Sequence, residues 1–318
     1  MRYFVTGGAG FVGRQLVEKL LSEGGEVVAY DNLSRGKREH VAPFMGNPRF
    51  KFIVDDVLNR RSLTEGMGKA DVVFHLSANS DIRAGVKNPK LELEQGIMAT
   101  FNVLQAMNDN SAGKIVFTSS SVIYGDAQGE ELTEDFGPLT PISFYGSGKL
   151  GAESLISGFC HMFDMKGWIF RFANIVGKGL THGVLLDFIH KLRRDPGRLE
   201  ILGDGKQTKP YLHVSECVEG MLWGLRNSDE RVNIFNLTSS DAVSVERIAQ
   251  IMVEEMGLRD VAFEYTGGEG GWKGDVTRVR LSGDRLARLG WRAKMSSEEA
   301  VRTAVREVLS EKELYEIG

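Results

Sequence analysis

Apolar residues fall along this chain in two alternating rhythms. Short runs rich in β-branched and aromatic residues read as strands: "RYFVTG" (2–7), "EVVAYD" (26–31), "RFKFIVDD" (49–56), "ADVVFHLS" (70–77), "GKIVFTSS" (113–120) and "GWIFRFAN" (167–174). Between them, residues 11–23, 60–67, 90–109 and 145–163 carry apolar positions at helical spacing. Strand then helix, repeated, predicts a parallel sheet covered by helices on both faces. Near-continuous apolar strands such as "DVVFH" suit strands buried on both sides. The second half is less regular. Gly and Pro gather near "VGKGLTHG" (176–183), "RRDPGR" (193–198) and "LGDGKQTKP" (202–210), helical patterns return at 184–194, 214–226, 244–257 and 295–311, and 231–238 and 261–265 read as strands. The expected class is therefore α/β, a doubly wound parallel sheet with a smaller mixed α/β domain. Residues 1–174 form the first domain, to which later segments return, and 175–318 mainly the second.

Composition narrows the class of function. The 318 residues are 42% hydrophobic and 26% charged, as in an ordinary globular protein. A net charge of −4 gives no electrostatic reason to expect nucleic acid or an anionic membrane as partner. Cys160 and Cys217 lie far apart, and the six histidines (His40, His75, His161, His182, His190, His213) show no ligand spacing, so neither a disulfide framework nor a metal site is expected. There is no signal-peptide pattern and no run near the ~20 apolar residues that span a bilayer. A cytoplasmic protein is the expectation.

The first strand runs into "TGGAGFVG", with Gly7, Gly10 and Gly13 at three-residue spacing, and then into a helix. Glycines there permit a tight turn and close approach of backbone to a pyrophosphate, which the helix N-terminus attracts. Asp31 ends the second strand 18 residues past Gly13. A carboxylate at that place accepts from both ribose hydroxyls and repels a 2′-phosphate, which favours NAD over NADP despite the nearby cations Arg35, Lys37 and Arg38. The first domain is thus read as a Rossmann domain.

A second pattern is "FYGSGKLG" (144–151), which sets Tyr145 and Lys149 four apart at the start of a helix. Residues i and i+4 share a helix face, and a neighbouring cation lowers a phenol's pKa. Taken alone, the spacing fits an exposed Tyr over a solvated Lys far better than a reactive pair.

Together with "DNLSRG" (31–36) and "FTSSSVIYG" (117–125), these motifs resemble the extended short-chain dehydrogenase/reductase family, and within it the nucleotide-sugar epimerase/dehydratase branch, UDP-glucose 4-epimerases above all. The likeness covers essentially the whole chain. It implies that Tyr145 is the acid/base, that Lys149 holds the nicotinamide ribose and depresses the phenol's pKa, and that Ser120 bonds the reacting sugar oxygen. For NAD it implies contacts from Gly7, Gly10, Phe11, Val12, Asp31, Asn32, Asp56, Val57, Leu76 and Ala78, besides Tyr145 and Lys149. For a UDP-sugar it implies Asn174, Val184, Lys209 and Asp275 beside Ser120 and Tyr145, with Leu199 to Leu202 near the uracil. A homodimer, paired through helices 90–109 and 145–163, is implied as well.

The family's reactions diverge after a shared oxidation at C4. Dehydratases carry Asp and Glu directly after the hydroxyl residue, whereas this chain has Ser121 and Val122. Without those groups elimination is disfavoured, and oxidation followed by hydride return to the other face remains, which is C4 epimerisation of a UDP-hexose with tightly held NAD. Epimerisation of UDP-glucuronate or a UDP-N-acetylhexosamine is the alternative; dehydration or a non-catalytic NAD-binding role stands further off. Four positions depart from the family pattern: Lys209 and Trp272 where an arginine is common, Val279 at a position often held by tyrosine, and Gly96 in place of an asparagine. Arg278 or Arg280 could stand in for the arginine, and Arg83 is a further cation near the motifs.

Overall fold

The computed structural model describes the chain except residues 83, 128, 269, 272–275 and 312–318. Seven strands form the central sheet: β1 (Arg2–Thr6), β2 (Glu26–Asp31), β3 (Phe50–Val54), β4 (Val72–His75), β5 (Lys114–Ser120), β6 (Lys166–Phe172) and β7 (Val232–Leu237). Their order across the sheet is β7-β6-β5-β4-β1-β2-β3. The registers of β1 with β2 and β4, of β2 with β3, and of β4 with β5 are all parallel. The chain winds outward from β1 to β3, then crosses back to lay β4 against β1 on the other side. That reversal opens a crevice at the carboxyl ends of β1 and β4, the place where doubly wound sheets bind ligands. This is the expected Rossmann-type α/β fold.

Among the helices that connect these strands are α1 (Phe11–Ser22), α2 (Arg60–Met67), α3 (Ala99–Asp109) and α4 (Phe144–Met162). Phe4, Tyr30, Leu63, Met67, Leu104 and Ile156 belong to one core in which α2, α3 and α4 pack on the sheet. The N-terminus of α4 is fixed by Ser143, whose Oγ accepts from Gly146 N at 3.1 Å. Its interior contains Gly146, Gly148, Gly151 and Gly158, poor helix formers, so tertiary packing must hold it.

The helix expected over 90–109 is instead three pieces: a turn at Lys90–Glu92, a π-helical segment at Leu93–Met98, and α3. The cause is close approach. A Cβ built at Gly96 would lie 3.3 Å from Gly148 Cα, so the two backbones nearly touch. The Thr100 hydroxyl also donates to the Gly96 carbonyl at 2.7 Å. Inserted π turns of this kind recur at functional sites.

The chain divides into two compact units that interleave along the sequence. The first comprises residues 1–125, 137–171 and 221–235, the second 126–136, 172–220 and 236 onward. The second unit has short strand pairs, among them Asn174–Val176 with Tyr211–His213 and Arg198–Ile201 with Ala262–Tyr265, both parallel. Its helices Val245–Glu255 and Ser297–Ser310 are joined by ion pairs from Arg302 to Glu254 and Glu255, both at 2.8 Å. A capping box of Ser296 and Glu299 starts the second of these helices.

One polar cluster lies inside the first unit. Arg171 on β6 donates from Nε to Glu153 Oε1 at 3.2 Å and from Nη2 to Oε2 at 2.8 Å, and from Nη1 to the Tyr124 hydroxyl at 3.0 Å. This bidentate pair fastens α4 to the sheet and to the turn that follows β5. Replacing Glu153 by Ala strands a buried guanidinium, and we expect a loss of about 3–5 kcal/mol in urea unfolding. The double replacement of Glu153 and Arg171 by Leu and Met should recover much of that loss.

Candidate active site

The glycine loop is built as the motif requires. Gly7 has φ +70°, and a Cβ there would lie 2.8 Å from Ser77 N. A Cβ on Gly13 would lie 2.0 Å from the Gly7 carbonyl oxygen, so α1 abuts the turn that precedes it. No side chain caps α1 at Gly10, which leaves the amides of its first turn, with buried Phe11 and half-buried Val12, to a bound anion. Asp31 is buried and accepts from Ala9 N at 3.0 Å and Leu33 N at 2.8 Å. Burial raises its carboxyl above the usual range, and these two amides pull it back. Asn32 donates to Asp56 at 2.7 Å, which joins two of the expected adenosine contacts. Val57 is packed in the core, with its carbonyl accepting from Asn102 at 3.2 Å. Leu76 N donates to the Thr6 carbonyl at 3.2 Å, and half-buried Ala78 follows in the same loop. Turn, uncapped helix and buried carboxylate together fit a dinucleotide.

At the end of β5, Ser120 caps a short turn and is hydrogen-bonded to the Tyr145 side chain. Lys149 reaches under the ring: its Nζ donates to the Thr118 carbonyl at 2.6 Å and lies 4.7 Å from the Phe117 ring centroid and 5.8 Å from that of Tyr145. The three expected residues therefore meet. Their electrostatics in the protein alone differ from expectation in one respect. Burial, with Glu92 next, raises the Tyr145 phenol above its ordinary value, and the Ser120 hydrogen bond only partly opposes this. Lys149 does not lower it here, because the buried ammonium is itself pushed down to about 8 by desolvation, against the pull of Glu92 and Glu153.

Glu92 is the residue that sequence reasoning missed. The sequence assigned no carboxylate to the Tyr145–Lys149 pair, and in "KLELEQ" Glu92 lies in a run of alternating charged and apolar residues. In the structure it is buried, with Oε1 accepting from Asn79 Nδ2 at 2.7 Å. Asn79 itself lies in the loop that carries Ala78. His75, read as lacking any ligand pattern, proves to be a buried link. It bridges Thr6 (2.8 Å from Nδ1) and Thr100 (3.0 Å from Nε2), and burial with the charge of Lys149 pushes it down to about 3. Because the Thr100 hydroxyl donates to Gly96, neutral His75 donates from Nε2 and accepts at Nδ1.

In the second unit, Asn174 pairs with Tyr211 and its side chain donates to the Pro210 carbonyl at 3.4 Å. Val184 begins the helix Val184–Arg194, and Lys209 lies in a two-residue strand opposite Val243. Leu199 and Ile201 are fully buried in the unit's core, while Glu200 between them is exposed. Val279 is buried, and its N donates to the Thr208 carbonyl at 3.2 Å. Asp275, Trp272 and Arg83 lie outside the described residues. No group of three or more potential metal ligands occurs among the described residues, and no helix there is long and apolar enough to cross a membrane.

Residues 3–238 match the model of the NAD dependent epimerase/dehydratase family, and the chain belongs to that family. NAD is its cofactor. A crystal structure of a UDP-galactose 4-epimerase superposes with a TM-score of 0.88 at 39% identity, covering 98% of this chain and 99% of that one. The UDP-glucose 4-epimerase of Mycolicibacterium smegmatis is 28% identical over 316 residues, 96% of this chain and 97% of its own. UDP-glucuronic acid decarboxylase 1 of Arabidopsis thaliana is 31% identical over 262 residues, which is 80% of this chain and 58% of that protein.

The glycine geometry gives a direct test. Gly13→Ala should reduce the NAD released on denaturing the purified protein by about tenfold or more, a loss of at least ~1.4 kcal/mol in binding. Ser22→Ala, at the far end of α1, should leave it unchanged.

Proposed function

We propose that the protein interconverts UDP-glucose and UDP-galactose by epimerisation at C4, through a 4-keto sugar, with NAD held throughout. One observation carries the choice among the family's reactions. The hydroxyl, phenol and ammonium of Ser120, Tyr145 and Lys149 are together, while Ser121 and Val122 occupy the two places from which dehydratases draw an acid and a base. The buried carboxylate that the structure adds, Glu92, is engaged by Asn79.

The bound dinucleotide supplies the acceptor, and later the donor, of the C4 hydride. Ser120 orients the 4-hydroxyl of the sugar, and Tyr145 takes its proton. Tyr145 must be ionised before it takes that proton; a phenolate whose pKa burial raises is a strong base, and it keeps the proton until the 4-oxygen is reprotonated. A bound oxidised nicotinamide would add the positive charge that brings the phenol down, and Lys149, while it keeps its proton, would then favour the phenolate with it. Reprotonation of the 4-oxygen by Tyr145 then gives the epimer. We assign Lys209 to the substrate's diphosphate, as a point charge, Asn174 to the diphosphate or the sugar, and Val184 and Asp275 to other parts of the UDP-sugar. Leu93, Met98 and Phe144, all exposed, suit pairing of two copies into a homodimer.

A second reading, action on UDP-glucuronate or a UDP-N-acetylhexosamine, is favoured by the decarboxylase relative and by the modest size of Val279. Purified protein with no added cofactor separates the two. Release of NAD on denaturation together with conversion of UDP-galactose to UDP-glucose supports the 4-epimerase. Bound NAD with product only from UDP-glucuronate or a UDP-N-acetylhexosamine overturns the sugar assignment. Tyr145→Phe should keep its NAD and lose about 10²–10⁴-fold or more in turnover. Because Lys149 works as a cation and gives up its proton as pH rises through about 8, turnover should decline on the alkaline side of that value.

A further inference from the structure

We propose that Glu92 is the positioning residue of this site, tying the cofactor loop to the catalytic helix and supplying the buried counter-charge to Lys149. The first part rests on contacts. Glu92 Oε1 accepts from Asn79 Nδ2 at 2.7 Å, and the same amide group donates to the Asp81 carbonyl at 3.0 Å while Asn79 Oδ1 accepts from Asp81 N at 3.1 Å. Asn79 is thus held on every polar atom and fixes the loop that begins after β4. On its other side Glu92 packs against α4 at a glycine. A Cβ built on Gly148 would lie 3.3 Å from both Glu92 Cβ and Glu92 Oε2, so a side chain there would press on the carboxylate and push it aside by a few tenths of an ångström. Gly148 directly precedes Lys149 and lies three residues after Tyr145.

The second part rests on which charges reach the pair. Glu92 acts on both Tyr145 and Lys149, raising each, and Lys149 acts back on Glu92. The other groups nearby are already committed. Glu153, on α4, is bound bidentately by Arg171 of β6, and His75 of β4 is neutral. Lys90 and Glu94, on the turns beside Glu92, pair with each other at 2.8 Å on the surface. Lys87, on the preceding turn, is exposed, and Asp81 in the loop forms a partly exposed ion pair with Arg35. Of the two buried carboxylates that act on Lys149, Glu153 is shared with Arg171, which leaves Glu92 as the one whose charge Lys149 has to itself. Two cations, Lys149 and an oxidised nicotinamide, would otherwise share one dry crevice and hold the phenol ionised. With Glu92 present, Tyr145 stays able to return the proton that it takes.

The proposal takes Tyr145 as the acid/base from the reading above but does not depend on which sugar reacts. It is therefore tested on the NAD-loaded protein without substrate. The Tyr145 phenolate is titrated by ultraviolet absorbance, subtracting the matching Tyr145→Phe protein in each background. Glu92→Gln keeps an acceptor for Asn79 and removes the charge. Its titration should move to lower pH by about one unit, with bound NAD and melting temperature retained. Glu92→Asp, which keeps the charge, should stay near the wild type. Glu92→Ser, a smaller neutral variant that is tolerated even if the Gln protein folds poorly, should also shift acidward, and should release NAD more readily because the Asn79 tether is gone. A lowered melting temperature with an unmoved phenolate titration would reduce Glu92 to a packing residue and overturn the proposal. Absence of UDP-galactose conversion alongside a shifted titration would count against the sugar assignment only.

Discussion

An ammonium buried under a phenol is the constraint around which the first unit is organised. Lys149 is almost without solvent, and its hydration must be replaced by the Thr118 carbonyl, the faces of Phe117 and Tyr145, and the field of Glu92. Each replacement comes from a different element. Thr118 and Phe117 come from β5, Tyr145 from the first turn of α4, and Glu92 from the turn before the π-helical segment. The strand ends, the glycine-rich start of α4 and the irregular helix at 93–98 are all arranged to bring these groups to one nitrogen.

Glycine does two kinds of work in this arrangement. In the loop after β1 it lets backbone take conformations and distances that side chains forbid, which leaves amides open to a phosphate. In α4 it removes side chains so that another segment can approach, at Gly148 for Glu92 and Gly96. Both uses weaken the local elements, since glycine is a poor helix former. Buried ties offset that weakness: the Arg171–Glu153 pair on α4, and the line of hydrogen bonds from Thr6 through His75 and Thr100 to Gly96. A site of this kind is held by its surroundings more than by its own segments.

The family's chemistry depends on the same economy of charge. In the cycle proposed above the phenolate takes one proton and returns it within a single turnover, so its pKa cannot be driven far in either direction. In the protein alone burial and Glu92 raise it and the Ser120 hydroxyl lowers it, and a bound oxidised nicotinamide would lower it further. Reading only the Tyr145–Lys149 pair gives the correct partners and the wrong sign for the protein by itself, because desolvation is the larger effect.

Much of this protein could be read from its sequence because the relevant signals are local. Strand and helix periods marked the sheet and its connecting helices, and "TGGAGFVG", Asp31 and the Tyr145–Lys149 spacing marked the two ends of a cofactor site. Turn geometry, ribose recognition and i, i+4 pairing are all set within a few residues, so short motifs carry them. Other features had no local sign. Glu92 belongs to a run of alternating charged and apolar residues that looks solvated, and its burial follows from Gly148, more than fifty positions later. The break at 93–98 follows from the same approach, and the interleaving of the two units follows from β7 returning to the sheet. Sequence alone determined the cofactor and the family, and it marked Ser120, Tyr145 and Lys149 as the candidate site. Tertiary structure decided which charges those residues feel, because the dielectric and the distances that set them exist only after distant segments have packed together.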